Sequence, residues 1–330
     1  LADKSIVLVT GATGAVGPSV VQAINEAGYQ IRAFSIDNPA ANRFPLGVEV
    51  LFGDVTSPEG VQSAMQGVDT VVHLAAILHL FDIPPQMRKK IELVNIGGTE
   101  TVVKAAIKAR VRRIILFSTI AVYGPSKGVV LDEFSPTKPE TLYAQTKLAA
   151  ERIVLNARGI DGRRIGTVLR LSAVYGSSVK GNYERLIRAL ARNRFIPFGD
   201  GQNRRTLVYE KDVGRAAVLA VSHPAAAGRV FNVTDGKFHT LNEITRSICD
   251  SLGRKPPMWP LPAKPVRLLV RFYEKASRTL GIKPIVTMET INKYEEDIAV
   301  DGSLFQNEIG FMPQFDLKAG CEETIHGMRA

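Results

Sequence analysis

Tyr143 and Lys147 stand four residues apart in the stretch 139–157, whose apolar positions repeat with a helical period. Both side chains therefore project from one helix face. A phenol, with a reference pKa of about 10, is a poor base at neutral pH, but a lysine cation beside it favours the phenolate. Such a pair can take the proton of an alcohol while hydride leaves the same carbon. The plainer reading is two exposed residues on an ordinary helix. Ser118 and Thr119 follow an apolar run at 113–117. They put two hydroxyls where a strand meets its loop, able to bond a substrate oxygen or to cap local backbone. A third group, Thr10-Gly11-Ala12-Thr13-Gly14-Ala15-Val16-Gly17, follows an apolar run at 5–9 and precedes a helix-like stretch at 19–27. Strand, glycine turn and helix in that order make a phosphate site of a glycine pattern. Gly11 permits the turn, Gly14 lets backbone approach a pyrophosphate, and Gly17 lets the helix pack on the strand. The first N–H groups and the dipole of the helix then favour an anion.

These residues need a frame. Apolar, β-branched runs at 5–9, 31–36, 48–52, 70–74, 113–117 and 167–171 read as strands. Helical patterns lie between them, at 85–109 and at 139–157, the latter opened by Pro139. Ser57 and Pro58 have the cap and first-position chemistry of another helix. Such alternation predicts a parallel sheet covered on both faces, an α/β, Rossmann-type doubly wound fold with right-handed crossovers. Beyond Leu171 the alternation weakens, and prolines at 197, 224, 256, 257, 260, 262 and 265 punctuate shorter elements. The expected division is a dinucleotide-binding domain at 1–175 and a smaller C-terminal substrate lobe at 176–330. Some segments of the second part should return to the first. Ligands bind such sheets at their carboxyl edge.

With 330 residues, 45% of them apolar, the chain can bury a large core. Cys249 and Cys321 are too few and too far apart for a disulfide framework or a metal site. They read as buried small hydrophobes in a reducing compartment, and a cytoplasmic location is expected. No apolar run reaches membrane-spanning length, and the first residues lack a signal-peptide pattern. Forty-two basic against 32 acidic residues give a net charge of +10, which suits an anionic ligand. No zinc spacing or arginine-rich tract accompanies it, so neither nucleic acid nor a metal is expected. At 265–283, Leu269, Phe272, Tyr273, Ala276 and Leu280 alternate with Arg267, Arg271, Lys275 and Arg278. An amphipathic helix packed on the small lobe is expected. A helix resting on an anionic membrane is the alternative.

As a set, the motifs resemble the extended short-chain dehydrogenase/reductase family, in its nucleotide-sugar epimerase/dehydratase branch. The matching stretches are T-G-x-x-G-x-x-G at 10–17, S-[ST]-x-x-V-Y-G at 118–124 and Y-x-x-x-K at 143–147. Others are V-N-I-G-G-T at 94–99, L-R-L-S-A-V-Y-G at 169–176, G-D-G-Q-N-R-R at 199–205, V-Y-E-K-D-V at 208–213 and F-N-V at 231–233. The resemblance implies that Tyr143 is the acid/base and that Lys147 supports it and holds the nicotinamide ribose. Thr119 would orient the reacting hydroxyl, with Ser118 beside it. Asp54, followed by Val55, would hold the adenine amine. Leu74, Ala75 and Ala76 would line the cofactor together with Thr13, Ala15 and Val16 of the glycine turn. Asn95 and Ser172 would complete that side. Arg205 would meet a substrate diphosphate, Arg204 competes for the role, and Asn182 is a further substrate candidate.

Three departures from the branch shape the expectation. The acid that ends the second strand is displaced from Ser35 to Asp37, still about 20 residues past the last glycine. Ile36 stands where an arginine would grip a 2′-phosphate. NAD is thus the expected cofactor, with NADP as the alternative. Ala173 replaces an asparagine, which puts one substrate contact in question. Ile120 and Ala121 replace the acidic residues that dehydratases need, which argues against that reaction. The expected function is NAD-dependent epimerisation of a nucleotide-diphosphate sugar, as a UDP-sugar 4-epimerase. The alternatives are a 4-ketoreductase using NAD(P)H, a hydroxysteroid-type dehydrogenase, and a cofactor-binding protein without catalysis. A homodimer is implied by resemblance.

Overall fold

The structure is a computed structural model that describes residues 5–38, 43–78, 84–258, 260–282, 284 and 286–329. Its first half alternates as the sequence predicts: β1 (Ile6–Thr10), α1 (Gly17–Glu26), β2 (Gln30–Ser35), β3 (Glu49–Phe52), α2 (Pro58–Ala64) and β4 (Val68–His73). Then come α3 (Pro85–Glu92), α4 (Gly98–Lys108), β5 (Arg113–Thr119), α5 (Leu142–Asn156) and β6 (Gly166–Leu171). The chain leaves the sheet as β7 (Ala173–Tyr175), α6 (Asn182–Ala191), β8 (Arg204–Arg205) and β9 (Leu207–Tyr209). It returns through α7 (Glu210–Ser222) and β10 (Val230–Val233). β11 (His239–Thr240), α8 (Leu241–Leu252), α9 (Ala263–Thr279), α10 (Met288–Glu295), α11 (Ser303–Ile309) and α12 (Leu317–Arg329) follow.

Seven strands form one sheet in the order β10-β6-β5-β4-β1-β2-β3, every pair parallel. The order reverses between β1 and β4, which opens a crevice at the carboxyl edge there. Alternate residues feed two cores. Val7, Val9, Ile115 and Phe117 pack with Val20, Val21 and Ile24 of α1 and with Val213, Ala216 and Ala217 of α7. Leu8, Ile114 and Leu116 pack on the other face with Val61 of α2, Val102 and Ala106 of α4, and Ala150 and Val154 of α5. Each such aliphatic side chain contributes about 1.5–3 kcal/mol by leaving water, so the apolar strands commit the chain to a two-faced cover. β10, α7 and α11 all serve this sheet although they follow residue 175. Tyr175, Ile187, Tyr209, Ile248, Cys249, Cys321 and Ile325 make a separate core away from the sheet. Both cysteines are buried and unpaired. Among the described residues, no helix is long and apolar enough to cross a membrane.

Three local expectations are corrected. The helix predicted at 85–109 is interrupted by a π-helical turn, Leu93–Gly97, between α3 and α4. Pro139 does not open α5; Thr141 caps it, its hydroxyl accepting the Ala144 N–H at 3.2 Å. A threonine in that place gives an orphan N–H of the first turn a partner, which proline cannot. The amphipathic helix at 265–283 does not bury its apolar face. In α9 only Ser277 is buried, while Leu268, Leu269 and Phe272 are 53%, 68% and 64% exposed. The expected end at Lys283 lies outside the described residues.

One buried ion pair fixes α5 on the sheet. Glu151 on α5 takes Arg170 of β6 in a fork, Nη2 to Oε2 at 2.7 Å and Nε to Oε1 at 3.0 Å, and also accepts the Ser118 hydroxyl at 2.5 Å. The Arg170 guanidinium lies 4.7 Å from the centre of the Tyr123 ring. Glu151 is 1% and Arg170 5% exposed. Removing one partner leaves a buried charge uncompensated. Glu151→Ala should therefore lose about 3–5 kcal/mol in denaturant unfolding. The double change Glu151→Leu with Arg170→Met should lose much less. Equal losses for the two variants would contradict this account.

Candidate active site

The glycine turn is built tightly. Gly11 has φ +68°, and a Cβ there would come within 2.6 Å of the Ala75 nitrogen. A Cβ at Gly17 would lie 2.1 Å from the Ala12 carbonyl oxygen, so only glycine lets α1 press on the end of β1. Leu74, Ala75 and Ala76 follow β4 directly across from this turn, the Leu74 N–H donating to the Thr10 carbonyl at 3.1 Å. Across β2, the Thr13 N–H donates to the Ser35 hydroxyl at 3.1 Å, and Arg43 donates to the Thr13 carbonyl at 2.6 Å. Arg32 is instead held by Glu49 at 2.7 Å and by the Ala64 and Gln66 carbonyls. Asp37 is exposed just past β2. Asp54 closes a turn by accepting the Thr56 N–H, and Val55 is buried against Gly98. Ala15 and Val16 lie half-buried at the start of α1.

A buried chain of hydrogen bonds joins this turn to α5. The Thr10 hydroxyl meets His73 Nδ1 at 2.6 Å, and His73 Nε2 meets the Thr99 hydroxyl at 3.0 Å. Thr99 donates its own proton to the Asn95 carbonyl at 2.7 Å. The ring must then donate from Nε2 and accept at Nδ1, which is the neutral imidazole. Burial and the nearby Lys147 charge push the His73 pKa down to about 3, in agreement with that state. Asn95, on the π-helical turn, exchanges two hydrogen bonds with the Ile77 backbone and donates to the Thr146 hydroxyl at 3.0 Å. Thr146 donates to the Tyr143 carbonyl at 2.8 Å. The sequence reading missed His73. A lone histidine ending an otherwise apolar strand, between Val72 and Leu74, was its signal.

Tyr143 and Lys147 lie one turn apart on α5, as spacing predicted. Burial raises the Tyr143 phenol to about 12. Burial lowers the Lys147 ammonium to about 8, with Glu151 opposing that shift. Thr119, half-buried at the end of β5, faces a cleft of about 670 Å³ that Ser172, Ala173, Thr141, Arg267, Lys293 and Glu295 also line. Ser172 is 4% exposed, and its buried hydroxyl has no hydrogen-bond partner among the described residues. A buried hydroxyl left without a partner on a residue of the cleft wall, and a glycine turn whose backbone N–H groups stand at the start of α1, fit a bound dinucleotide and its substrate.

Other expected contacts are not assembled this way. Ser118 points to the opposite side of β5 from Thr119, and its hydroxyl is held by Glu151. Arg204 is paired with Asp297 at 2.7 Å and donates to the Gly128 carbonyl. Arg205, only 8% exposed, donates to the Lys293 and Tyr294 carbonyls at 2.7 and 3.0 Å. Neither guanidinium reaches freely into the cleft. Asn182, the first residue of α6, is exposed.

A parallel sheet with a glycine phosphate turn at its switch point, and a Tyr-x-x-x-Lys helix beside it, defines a dinucleotide-dependent enzyme fold of the extended short-chain dehydrogenase/reductase type. The model of the NAD dependent epimerase/dehydratase family matches residues 7–234, and the chain belongs to that family. A 3 beta-hydroxysteroid dehydrogenase/Delta 5-->4-isomerase of Mycobacterium tuberculosis is 25% identical, over 97% of this chain and 89% of its own length. A UDP-glucose 4-epimerase of Vibrio cholerae is 29% identical, over 97% of this chain and 94% of its own. The solved structure of MoeE5 in complex with UDP-glucose and NAD superposes with a TM-score of 0.75 at 26% identity, covering 98% of this chain and 99% of that one.

The Lys147 environment has a measurable consequence. Its folded pKa, about 8, lies below the ordinary 10.5. Between those values the unfolded chain binds more protons than the folded one, so stability should rise with pH. The cost of the buried ammonium is full below pH 8 and gone above 10.5, and it amounts to something on the order of 3 kcal/mol. Cys321, which burial raises from 9.0 to about 11, adds an opposite slope above 9, and Tyr143, shifted upward, adds another above its ordinary value of 10. Denaturant unfolding followed from pH 7 to about 9 should show the start of that rise in the wild type and a flatter profile in Lys147→Met. The same slope in both proteins would place the titration elsewhere.

Proposed function

We propose that this protein is an NAD-dependent epimerase that transiently oxidises a secondary alcohol on a nucleotide-diphosphate sugar, as a UDP-sugar 4-epimerase does. The observation that carries the reading is the constellation at the carboxyl edge, with Tyr143 and Lys147 on one face of α5 and with Thr119 and Ser172, whose buried hydroxyl is unpartnered, in the wall of the cleft. NAD, when bound on the glycine turn, supplies the two-electron acceptor and donor. Tyr143 holds the proton of the substrate hydroxyl. Buried as it is, its phenol needs a cation to become phenolate at neutral pH. Lys147 keeps its charge below about 8 and supplies that cation. Thr119 orients the reacting oxygen, and Asn95 keeps the first turn of α5 in place through Thr146. For inversion the keto sugar must turn in the cleft while its diphosphate is held. Membership of the epimerase/dehydratase family and likeness to sugar-nucleotide enzymes support that part. The absence of acidic side chains at Ile120 and Ala121 disfavours dehydration.

A second reading is a hydroxysteroid-type dehydrogenase, which uses the same acid/base set without inversion. The commitment of Arg204 and Arg205 to internal partners favours it, since neither is free to grip a diphosphate. So does the lining of the cleft, where Glu140, Glu289, Glu295 and Glu296 outnumber Arg267 and Lys293.

Tyr143→Phe should fold and bind NAD like the wild type but lose about 10²–10⁴-fold in turnover, because only the proton acceptor is removed. Near-normal turnover would remove Tyr143 from the chemistry. The reaction itself is decided by incubating the protein with UDP-glucose or UDP-galactose and separating the sugars chromatographically. Interconversion with no net change in nicotinamide absorbance is expected. No interconversion with NAD added, together with NAD reduction by a 3β-hydroxysteroid, would select the dehydrogenase. NAD(P)H oxidation by a 4-keto sugar nucleotide would select the 4-ketoreductase.

A further inference from the structure

Helix α9 has three stripes. Ala263, Val266, Val270, Glu274 and Ser277 recur at three- and four-residue steps on the side turned inward, and α10 is the helix packed against α9. Leu268, Phe272 and Ala276 form one outward row, and Leu269 and Leu280 extend it; all five are exposed. Lys264, Arg271 and Lys275 run along one flank of that apolar row, also exposed. Among the described residues these three cations form no ion pair, whereas Arg267 is paired with Glu295 and Arg278 with Glu274. Leu261 and Ile282 add exposed apolar surface at the two ends of the helix.

An exposed row of large apolar side chains on a soluble surface marks a contact. Charge decides which contact. The single acidic residue of α9, Glu274, is turned inward and used by Arg278 and by the Met288 N–H. A second copy of this chain would bring the same unpaired cations against its own apolar row, and the net charge of +10 opposes that approach. An anionic lipid surface matches both stripes at once, since it accepts the apolar row at the acyl boundary and the cations at the headgroups.

We infer that α9 is an interfacial helix by which the protein docks on anionic membrane surfaces. The docking leaves the fold unchanged and is independent of which alcohol the cleft takes. It also sets the orientation of the active site. Arg267, on the flank of α9, lines the cleft together with Asn292 and Lys293 of α10. The docked helix therefore brings one wall of the cleft to the headgroup layer, where a substrate with an apolar tail can enter without leaving the bilayer.

The test uses the full chain and vesicles of phosphatidylcholine, alone or mixed in equal parts with phosphatidylglycerol. The wild type should sediment with the mixed vesicles, be released by salt, and sediment poorly with phosphatidylcholine alone. Arg271→Gln with Lys275→Gln should weaken partitioning roughly 25-fold, a factor of about five per cation. Phe272→Ser should weaken it as well, and both variants should keep wild-type circular dichroism and melting temperature, since the changed residues are exposed. Failure of the wild type to bind the mixed vesicles at low ionic strength would overturn the inference. So would binding that neither variant reduces. Loss of a dimer in Phe272→Ser, with no vesicle binding by the wild type, would assign the face to a second copy of the chain.

Discussion

His73 occupies a place where no charge is tolerated and every polar atom must be matched. It is 1% exposed, and its two ring nitrogens span the gap between the end of β1 and the start of α4. A neutral imidazole has one donor and one acceptor, so the proton order along Thr10, His73, Thr99 and the Asn95 carbonyl has one consistent direction. Leaving any of these buried groups unpaired costs about 1–3 kcal/mol, more than a typical intact hydrogen bond contributes. The chain of bonds is thereby protected by the penalty for breaking it. It also fixes distances that matter for chemistry. The glycine turn hangs on Thr10, the segment after β4 hangs on Thr10 and Asn95, and the first turn of α5 hangs on Asn95 through Thr146. Acid/base catalysis tolerates little misplacement of its groups, and this relay ties the turn that fits a dinucleotide to the helix that carries the tyrosine.

The Lys147 ammonium is stabilised from the other end. Among the described residues its ionic support is the Glu151 carboxylate, itself engaged by Arg170 and Ser118. Glu151 therefore serves two purposes, pinning α5 to β6 and keeping a cation tolerable one turn closer to the cleft. Burial still wins, since the lysine pKa falls rather than rises. Such a residue reduces stability at neutral pH, and its placement makes physical sense where a charge is needed for function.

The strands, their order of appearance and the Tyr143–Lys147 face were legible because each rests on local periodicity or on spacing within one element. Val7, Leu8 and Val9 are apolar in succession since both faces of the sheet are covered. The π-helical turn at Leu93–Gly97 was illegible for the opposite reason. Its hydrogen-bond register is set by Asn95 reaching the Ile77 backbone and Thr146, residues 18 and 51 positions away. Arg204 and Arg205 carried the right chemistry for a diphosphate, but their partners, Asp297 and the carbonyls of Lys293 and Tyr294, lie about 90 residues downstream. The orientation of Ser118 followed from strand alternation once Thr119 faced the cleft. The exposure of α9 could not be read, because an amphipathic pattern says that a face needs cover and not what supplies it.

The α9–α10 segment is held by bonds that bear on both its surfaces. The last carbonyls of a helix lack intrahelical partners and carry its negative end. At α10 the Lys293 and Tyr294 carbonyls are taken by Arg205, and Asn203 donates to the Tyr294 and Glu296 carbonyls at 2.8 and 3.1 Å. Arg204 adds its fork to Asp297, whose carboxyl it holds below the usual carboxylate range. Arg267 then joins α9 to Glu295 and Asn292 of α10. The path runs from β8 through α10 to Arg267 on the flank of α9. Charge-assisted bonds in partly buried surroundings are the strong members of their class. A helix attached in this way cannot reorient without disturbing Arg267, Asn292 and Lys293, which line the cleft.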